Sequence, residues 1–176
     1  MSAATGYALI TAVIGLQAAA GPLYEVCGIR PDFPCIALAA IALTLQPFGV
    51  ITTAILAGAL LDWTSAGTMG AHMTGCLCLA FFILRGRRTG WDEDRPGRIV
   101  LVTGGILIAL IVPHGMIWAI GERHANPAIL YAGTAAYTIL FAWPLYRLVL
   151  PVLEWSLPGE RWLGQFSGGP SWQRRA

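Results

Sequence analysis

The sequence predicts an all-α membrane protein, a polytopic bundle of about six transmembrane helices. Hydrophobic residues make up 56% of the 176 residues and charged residues only 11%, whereas soluble domains carry roughly a quarter charged residues. Mean hydropathy is +0.65, and long apolar stretches alternate with short segments rich in arginine, proline and glycine. Such a chain has too little polar surface for a soluble domain. Its net charge of +2 gives no sign of a nucleic-acid-binding surface.

Six spans are predicted along the chain. They are Tyr7–Cys27, the two halves of Phe33–Leu61, Thr68–Leu84, Ile99–Ile120 and Pro127–Leu150. The first is expected to be retained, because no charged n-region or cleavage site marks a signal peptide. Phe33–Leu61 is divided because a single helix would be about 43 Å long at about 1.5 Å per residue, against a hydrocarbon core of about 30 Å. Gln46–Gly49 supplies a turn signal there, so two short helices in a tight hairpin are expected; five spans is the alternative if Pro47 only kinks the helix.

The placement of the arginines predicts the orientation. The loop between the fourth and fifth spans carries Arg85, Arg87, Arg88, Arg95 and Arg98. Further arginines lie at or beyond the end of the sixth span, two spans later and therefore on the same side. The positive-inside rule assigns that side to the cytoplasm. We therefore expect residues 1–150 to form a membrane bundle with both termini in the cytoplasm, and residues 151–176 to form a cytoplasmic tail containing tryptophan and arginine.

Small residues recur at helical spacing in two of the spans. Ala4, Ala8 and Ala12 recur in the first span, and Ala54 and Gly58 recur in the third. In lipid, close backbone approach through small side chains supplies much of the packing between helices. These faces therefore predict helix contacts, either inside the bundle or, for the first span above all, with a partner membrane protein.

One polar segment interrupts the apolar pattern between the third and fourth spans. Its candidate residues are Asp62, Trp63, Ser65, Gly67, Gly70 and His72. Ionisable residues at membrane depth usually face a bundle interior, a cavity or the interface, and are candidates for function. Aspartate and serine also cap helices and stabilise turns. Two alternatives stay open: Asp62 caps the following helix in a structural turn, or the segment contacts a partner or ligand.

Metal binding and catalysis find little support in the sequence. His72 and Cys76 share a helix face, but zinc sites usually need three or four converging ligands. Cys27 and Cys35 flank the loop after the first span. Two alternatives stay open for them: a disulfide between the two, or two buried free thiols. The chain has no nucleophile–base set, paired carboxylates or phosphate-binding loop. We expect no enzymatic activity, no cofactor and no metal.

These residues together resemble the rod shape-determining protein MreD family, over about Tyr24–Arg88. The resemblance rests on Arg30-Pro31-Asp32 before the second span and on the run Gly58-x3-Asp62-x2-Ser65-x-Gly67-x2-Gly70-x-His72, followed by an apolar span that ends in arginines. It implies a non-enzymatic subunit of the cell-elongation machinery in the bacterial cytoplasmic (inner) membrane. It also implies association with an MreC-type bitopic protein. Together the two would couple MreB filaments to a peptidoglycan synthase formed by RodA and a penicillin-binding protein.

The resemblance also implies a fold similar to the S component of energy-coupling-factor vitamin transporters. We expect a scaffold for cell shape, with the polar segment at the outer face and the arginine loop facing cytoplasmic partners and anionic membrane lipid. The alternative is a substrate-binding S component of a vitamin transporter. A bound vitamin needs several placed polar contacts in a pocket, and the sequence offers few beyond Asp62, Trp63 and His72.

Overall fold

The described part of the chain is helical. The computed structural model describes residues 3–26, 29–65, 69–119, 132–142 and 144. Its α-helices are α1 (Ala3–Ala20), α2 (Phe33–Thr44), α3 (Pro47–Thr64), α4 (Ala71–Arg88), α5 (Arg95–Ala119) and α6 (Ala132–Ala142). A 3₁₀ turn, Gly21–Tyr24, follows α1, and a single bridge pairs Val26 with Ile29. The predicted all-α class is confirmed.

α2 and α3 are separate helices, as the turn signal predicted. Pro47 is the first residue of α3, a position where its fixed φ and missing N–H are tolerated. The N–H of Leu45 donates to the carbonyl of Ile41 at 2.9 Å and closes α2. The turn is shorter than predicted, because Gly49 already belongs to α3. The two helices are consequently unequal, with 12 residues in α2 and 18 in α3.

Three of the described helical segments are long and apolar enough to cross a membrane. They are Ala4–Tyr24, Pro47–Thr64 and Arg95–Met116. Two shorter apolar helices, Phe33–Thr44 and Ala132–Ala142, accompany them. These helices support membrane association, whereas the count of six spans stays a prediction. Half of the predicted sixth span and all of the tail at 151–176 lie outside the described residues.

α4 and α5 pack closely because glycines let their backbones approach. A Cβ at Gly75 would lie 2.7 Å from the carbonyl oxygen of Ala109, and a Cβ at Gly104 would lie 2.9 Å from the Phe82 ring. The start of α4 therefore meets the end of α5, so the two helices run antiparallel. The fully buried side chains around this contact include Leu79, Ile83 and Ile106.

The two ends of the bundle differ in chemistry. At the first, which we call the cavity end, Asp32, Asp62 and His72 lie where α2 and α4 begin and α3 ends. At the second, the arginine end, α2 leads into α3 and α4 leads into α5. Because α3 returns from the arginine end to the cavity end, α2 and α3 form the predicted hairpin.

Arg87 has a structural role at the arginine end. Its Nη1 donates to the carbonyls of Ala42 at 2.8 Å and Leu45 at 2.7 Å, which caps the C-terminus of α2. Burial lowers the pKa of this guanidinium, and the charge of the nearby Asp92 carboxylate opposes that shift. Arg87 therefore ties α4 to α2.

The other arginines of this loop are arranged differently. Three of them are exposed: Arg85, Arg88 and Arg95. Arg98 is partly buried, and its Nε donates to the carbonyl of Asp92. The exposed three remain available to lipid or to a partner.

Candidate functional site

Asp62 caps α4 across the turn that joins it to α3. Its side chain is 4% exposed. Oδ2 accepts the N–H of Gly70 at 2.9 Å and of Met73 at 3.2 Å, and Oδ1 accepts the N–H of His72 at 2.9 Å. His72 and Met73 lie in the first turn of α4 and Gly70 directly precedes it, where helical geometry provides no acceptor for the N–H groups. The capping alternative is therefore confirmed for Asp62.

His72 adds a side-chain contact to this cap. Its Nδ1 lies 3.1 Å from Oδ1 of Asp62. Because a carboxylate only accepts, Nδ1 carries the proton and Nε2 is an acceptor in the neutral ring. Close by, a Cβ at Gly58 would lie 2.8 Å from the nitrogen of Met73. Hydrogen bonds and close packing thus hold α3 against α4.

The remaining residues of the polar segment shape the turn or face outward. Gly70 has φ 93°, in the left-handed region that favours glycine. The hydroxyl of Ser65 donates to the carbonyl of Asp62 at 3.3 Å. Trp63 is 83% exposed, as expected of an aromatic side chain at a membrane interface. Gly67 lies outside the described residues.

The two faces of small residues lie in opposite environments. The α3 face, Ala54 and Gly58, is buried. The α1 face, Ala4, Ala8 and Ala12, is exposed in the described structure, and so is Gly15 on the next turn of α1. A Cβ at Gly15 would meet no atom within 4 Å. Packing inside the bundle is therefore observed for the α3 face, whereas the α1 face has no such packing among the described helices.

A polar cavity of about 350 Å³ opens at the cavity end of the bundle. Its polar lining residues are Gln17, Glu25, Arg30, Asp32, His72, His114 and Thr134, and Cys35 and Cys76 add two thiols. Small-molecule sites span roughly 300–1,000 Å³, so this cavity has the size for a small ligand. Its lining includes residues from all six helices, α1 to α6.

Asp32 caps α2 and lines the cavity. Its Oδ1 accepts the N–H of Cys35 at 3.1 Å, and its Oδ2 accepts from the Cys35 thiol at 3.1 Å. Its own N–H donates to the hydroxyl of Thr138 at 3.0 Å. Arg30, two residues earlier, is paired with Glu25. Within the described residues no basic side chain lies at ion-pair distance from Asp32.

Gln17 and His114 add hydrogen-bonding groups to the lining. Oε1 of Gln17 accepts the N–H of Phe33 at 2.8 Å. Pro113 lies inside α5 and has no N–H, so the carbonyl of Ala109 lacks its helical donor. Nδ1 of His114 contacts the carbonyl of Leu110. A carbonyl only accepts, so this nitrogen carries the proton and Nε2 is the acceptor in a neutral ring.

Most of this cavity was missed at the sequence level. Asp62, Trp63 and His72 were the few polar contacts that the sequence offered for a pocket, and of these three His72 alone lines the cavity. The other polar groups come from separate helices, and spacing along the chain does not show that they meet. A usable signal was that Gln17 and His114 are isolated polar residues within apolar helices.

The cysteines carry free thiols where they are described. Cys35 and Cys76 are buried, and Cys27, the alternative disulfide partner of Cys35, lies outside the described residues. Among the residues that the structure describes, no group of three or more histidine, cysteine, aspartate or glutamate residues has an arrangement that could hold a metal ion.

Comparison with known proteins gives no significant match to a family model, a curated protein or a solved structure. Function is therefore inferred from the residues and their geometry.

Proposed function

We propose that this chain is a non-enzymatic scaffold subunit of the bacterial cell-elongation machinery, as its resemblance to the MreD family implies. The observation that carries the proposal is the exposed α1 face. Small residues at helical spacing permit close helix packing in lipid, and this face is not used for packing among the described helices. Its occupant in the proposal is the single transmembrane helix of an MreC-type bitopic protein.

The proposal includes six spans in the cytoplasmic membrane, with an S-component-like fold and both termini in the cytoplasm. The cavity end then faces outward, where a periplasmic domain of the bitopic partner can reach the Asp62 turn. The arginine end faces inward, and its exposed arginines are available to anionic lipid and to MreB. Through these contacts the chain would link the cytoskeleton to RodA and its penicillin-binding protein.

The Asp62 cap of α4 fits a scaffold. Asp62 has its carboxylate occupied by three N–H groups and an imidazole. A carboxylate with its acceptor sites filled in this way stabilises a shape and is poorly available for proton transfer. The cap therefore holds the start of α4 against the end of α3.

The test is co-purification of the MreC-type protein with the tagged full chain from native membranes. Ala8→Leu should reduce the recovered partner about tenfold, which corresponds to about 1.4 kcal/mol, because a larger side chain keeps the partner helix away. Ala59→Leu is the matched control, since Ala59 is also exposed but lies on α3, outside the α1 face. Equal recovery with both variants would contradict the proposed interface.

Depletion of the chain gives a second readout. Rod-shaped cells should widen and become round, whether or not vitamins are added to the medium. Cells that keep their shape but stop growing until a vitamin is supplied would overturn the scaffold proposal.

The second candidate is a substrate-binding S component, and the cavity is the observation that favours it. Its volume and the number of polar groups around it meet the requirement for placed contacts in a ligand pocket. Growth that depends on an added vitamin after depletion, with cell shape preserved, is the result that this candidate predicts.

A further inference from the structure

We propose that the cavity binds a small organic molecule through a protonated amine, an ammonium group that carries N–H donors. The inference rests on the cavity alone, so it holds for a scaffold and for a solute-binding subunit.

The charges around the cavity favour a cation. Glu25 and Asp32 contribute two carboxylates to the lining and Arg30 one guanidinium, so with neutral histidines the lining has one negative charge in excess. Arg30 is bonded to Glu25. The charge of Asp32 is met by the N–H and thiol of Cys35, and no basic side chain in the described structure pairs with it. A partly enclosed site strengthens such an attraction relative to water.

The hydrogen-bonding capacity of the lining favours a donor-rich ligand. The acceptors are the carboxylates, the amide oxygen of Gln17 and, in a neutral ring, Nε2 of His72. An ammonium group offers up to three N–H donors and no acceptor. An anion would instead face these acceptors, with Arg30 as its main attraction. The cavity therefore selects for N–H donors as well as for positive charge.

Such an ammonium group has two sources, a free amine or the head group of phosphatidylethanolamine. The cavity lies at the end of a membrane bundle, which is the level of lipid head groups. The two sources share the same recognition chemistry and can be separated by the lipid that surrounds the protein.

The test uses the purified full chain in nanodiscs of phosphatidylglycerol, titrated with ethanolamine by calorimetry. We expect saturable binding, and we expect choline to bind about tenfold or more weakly because its quaternary nitrogen has no N–H donor. Asp32→Asn should weaken ethanolamine binding about tenfold, since hydrogen bonds to charged groups are worth about 1.5–3 kcal/mol. Asp92→Asn makes the same chemical change at the arginine end and should leave binding unchanged.

Arg30→Gln provides a variant that misfolding cannot mimic. It removes the positive charge from the lining and leaves Glu25 unpaired, so ethanolamine should bind more tightly, by about threefold or more. Weaker binding in Arg30→Gln, or the same loss in Asp92→Asn as in Asp32→Asn, would overturn the assignment.

Purification from membranes that contain phosphatidylethanolamine identifies the source. Retention of this lipid on the wild-type chain and its loss from Asp32→Asn, seen by native mass spectrometry, would support the head group as ligand. Binding of ethanolamine without lipid retention would support a free amine. Neither binding nor retention, or acetate binding as tightly as ethanolamine, would refute the proposal. Partner recovery and cell shape test the scaffold separately, so the two can fail independently.

Discussion

The α1 face and the α3 face use the same kind of residue for different purposes. Both present small side chains four residues apart. The α3 face is closed, because Gly58 lies against the backbone of Met73 and Ala54 is fully buried. The α1 face is open, because Ala8 is exposed and Gly15 has room for a side chain.

The difference shows that small residues at helical spacing predict that a helix face can pack closely. They do not predict which helix packs on that face. On α3, the neighbouring polar residues supply that information, since the Asp62 cap and its His72 contact fix α4 beside Gly58. A side-chain hydrogen bond joins the first half of α1 to α3, where the hydroxyls of Tyr7 and Thr52 lie 2.6 Å apart. The side of α1 that carries Tyr7 therefore faces the bundle, and the small residues of the α1 face point outward.

The largest expected effect comes from placing the same side chain on the two faces. Gly58→Leu should lower the free energy of unfolding by about 3 kcal/mol or leave no folded protein, because the added atoms overlap the backbone of Met73. Gly15→Leu should change it by less than about 0.5 kcal/mol, since a Cβ there meets nothing within 4 Å. Thermal unfolding of both purified proteins checks this. Equal losses would remove the distinction between the faces.

The Asp62 cap should be the next most sensitive feature of the closed face. Asp62→Ala removes the acceptor for three N–H groups at the start of α4, those of Gly70, His72 and Met73, and should cost about 2–3 kcal/mol. Glu93→Ala, an exposed carboxylate in the loop before α5, is the control and should stay within about 0.5 kcal/mol. Chemical unfolding in detergent measures both. A loss below that of the control would show that α3 and α4 hold together without the cap.

A smaller effect is expected at the opposite end of the bundle. Arg87→Gln shortens the side chain that caps α2 and should cost about 1.5 kcal/mol. Arg88→Gln should be close to neutral, because Arg88 is exposed. The melting temperatures of the two variants measure this difference in stability. An equal decrease in both variants would show that the net charge of the loop, and not the cap of α2, is the cause.

Local chemistry explains what could be predicted from the sequence. Pro47 cannot continue α2 and can start α3, so the break between them was predictable from one residue type. The cap was predictable because an aspartate preceded a helix start that had glycine at its boundary. Both features depend on residues within about a dozen positions of one another.

The cavity depends on contacts between distant parts of the chain and was therefore missed. Gln17, Asp32 and His114 meet only after α1, α2 and α5 have packed. The position of Asp32 made the cavity harder to predict, because an aspartate directly before α2 is already explained as a helix cap. The neighbour of the α1 face could not be predicted for the same reason, because no residue close to it in sequence indicates what packs on it.

The most direct test of the scaffold interface is photocrosslinking in intact cells, with a diazirine amino acid of small size placed at Ala8 and, as the control, at Ala59. The open α1 face predicts a crosslink from position 8 to the MreC-type bitopic protein, identified by mass spectrometry, and lipid adducts alone from position 59. Lipid adducts alone from position 8, or the same protein crosslinked from both positions, would contradict the assignment of the α1 face as the partner interface.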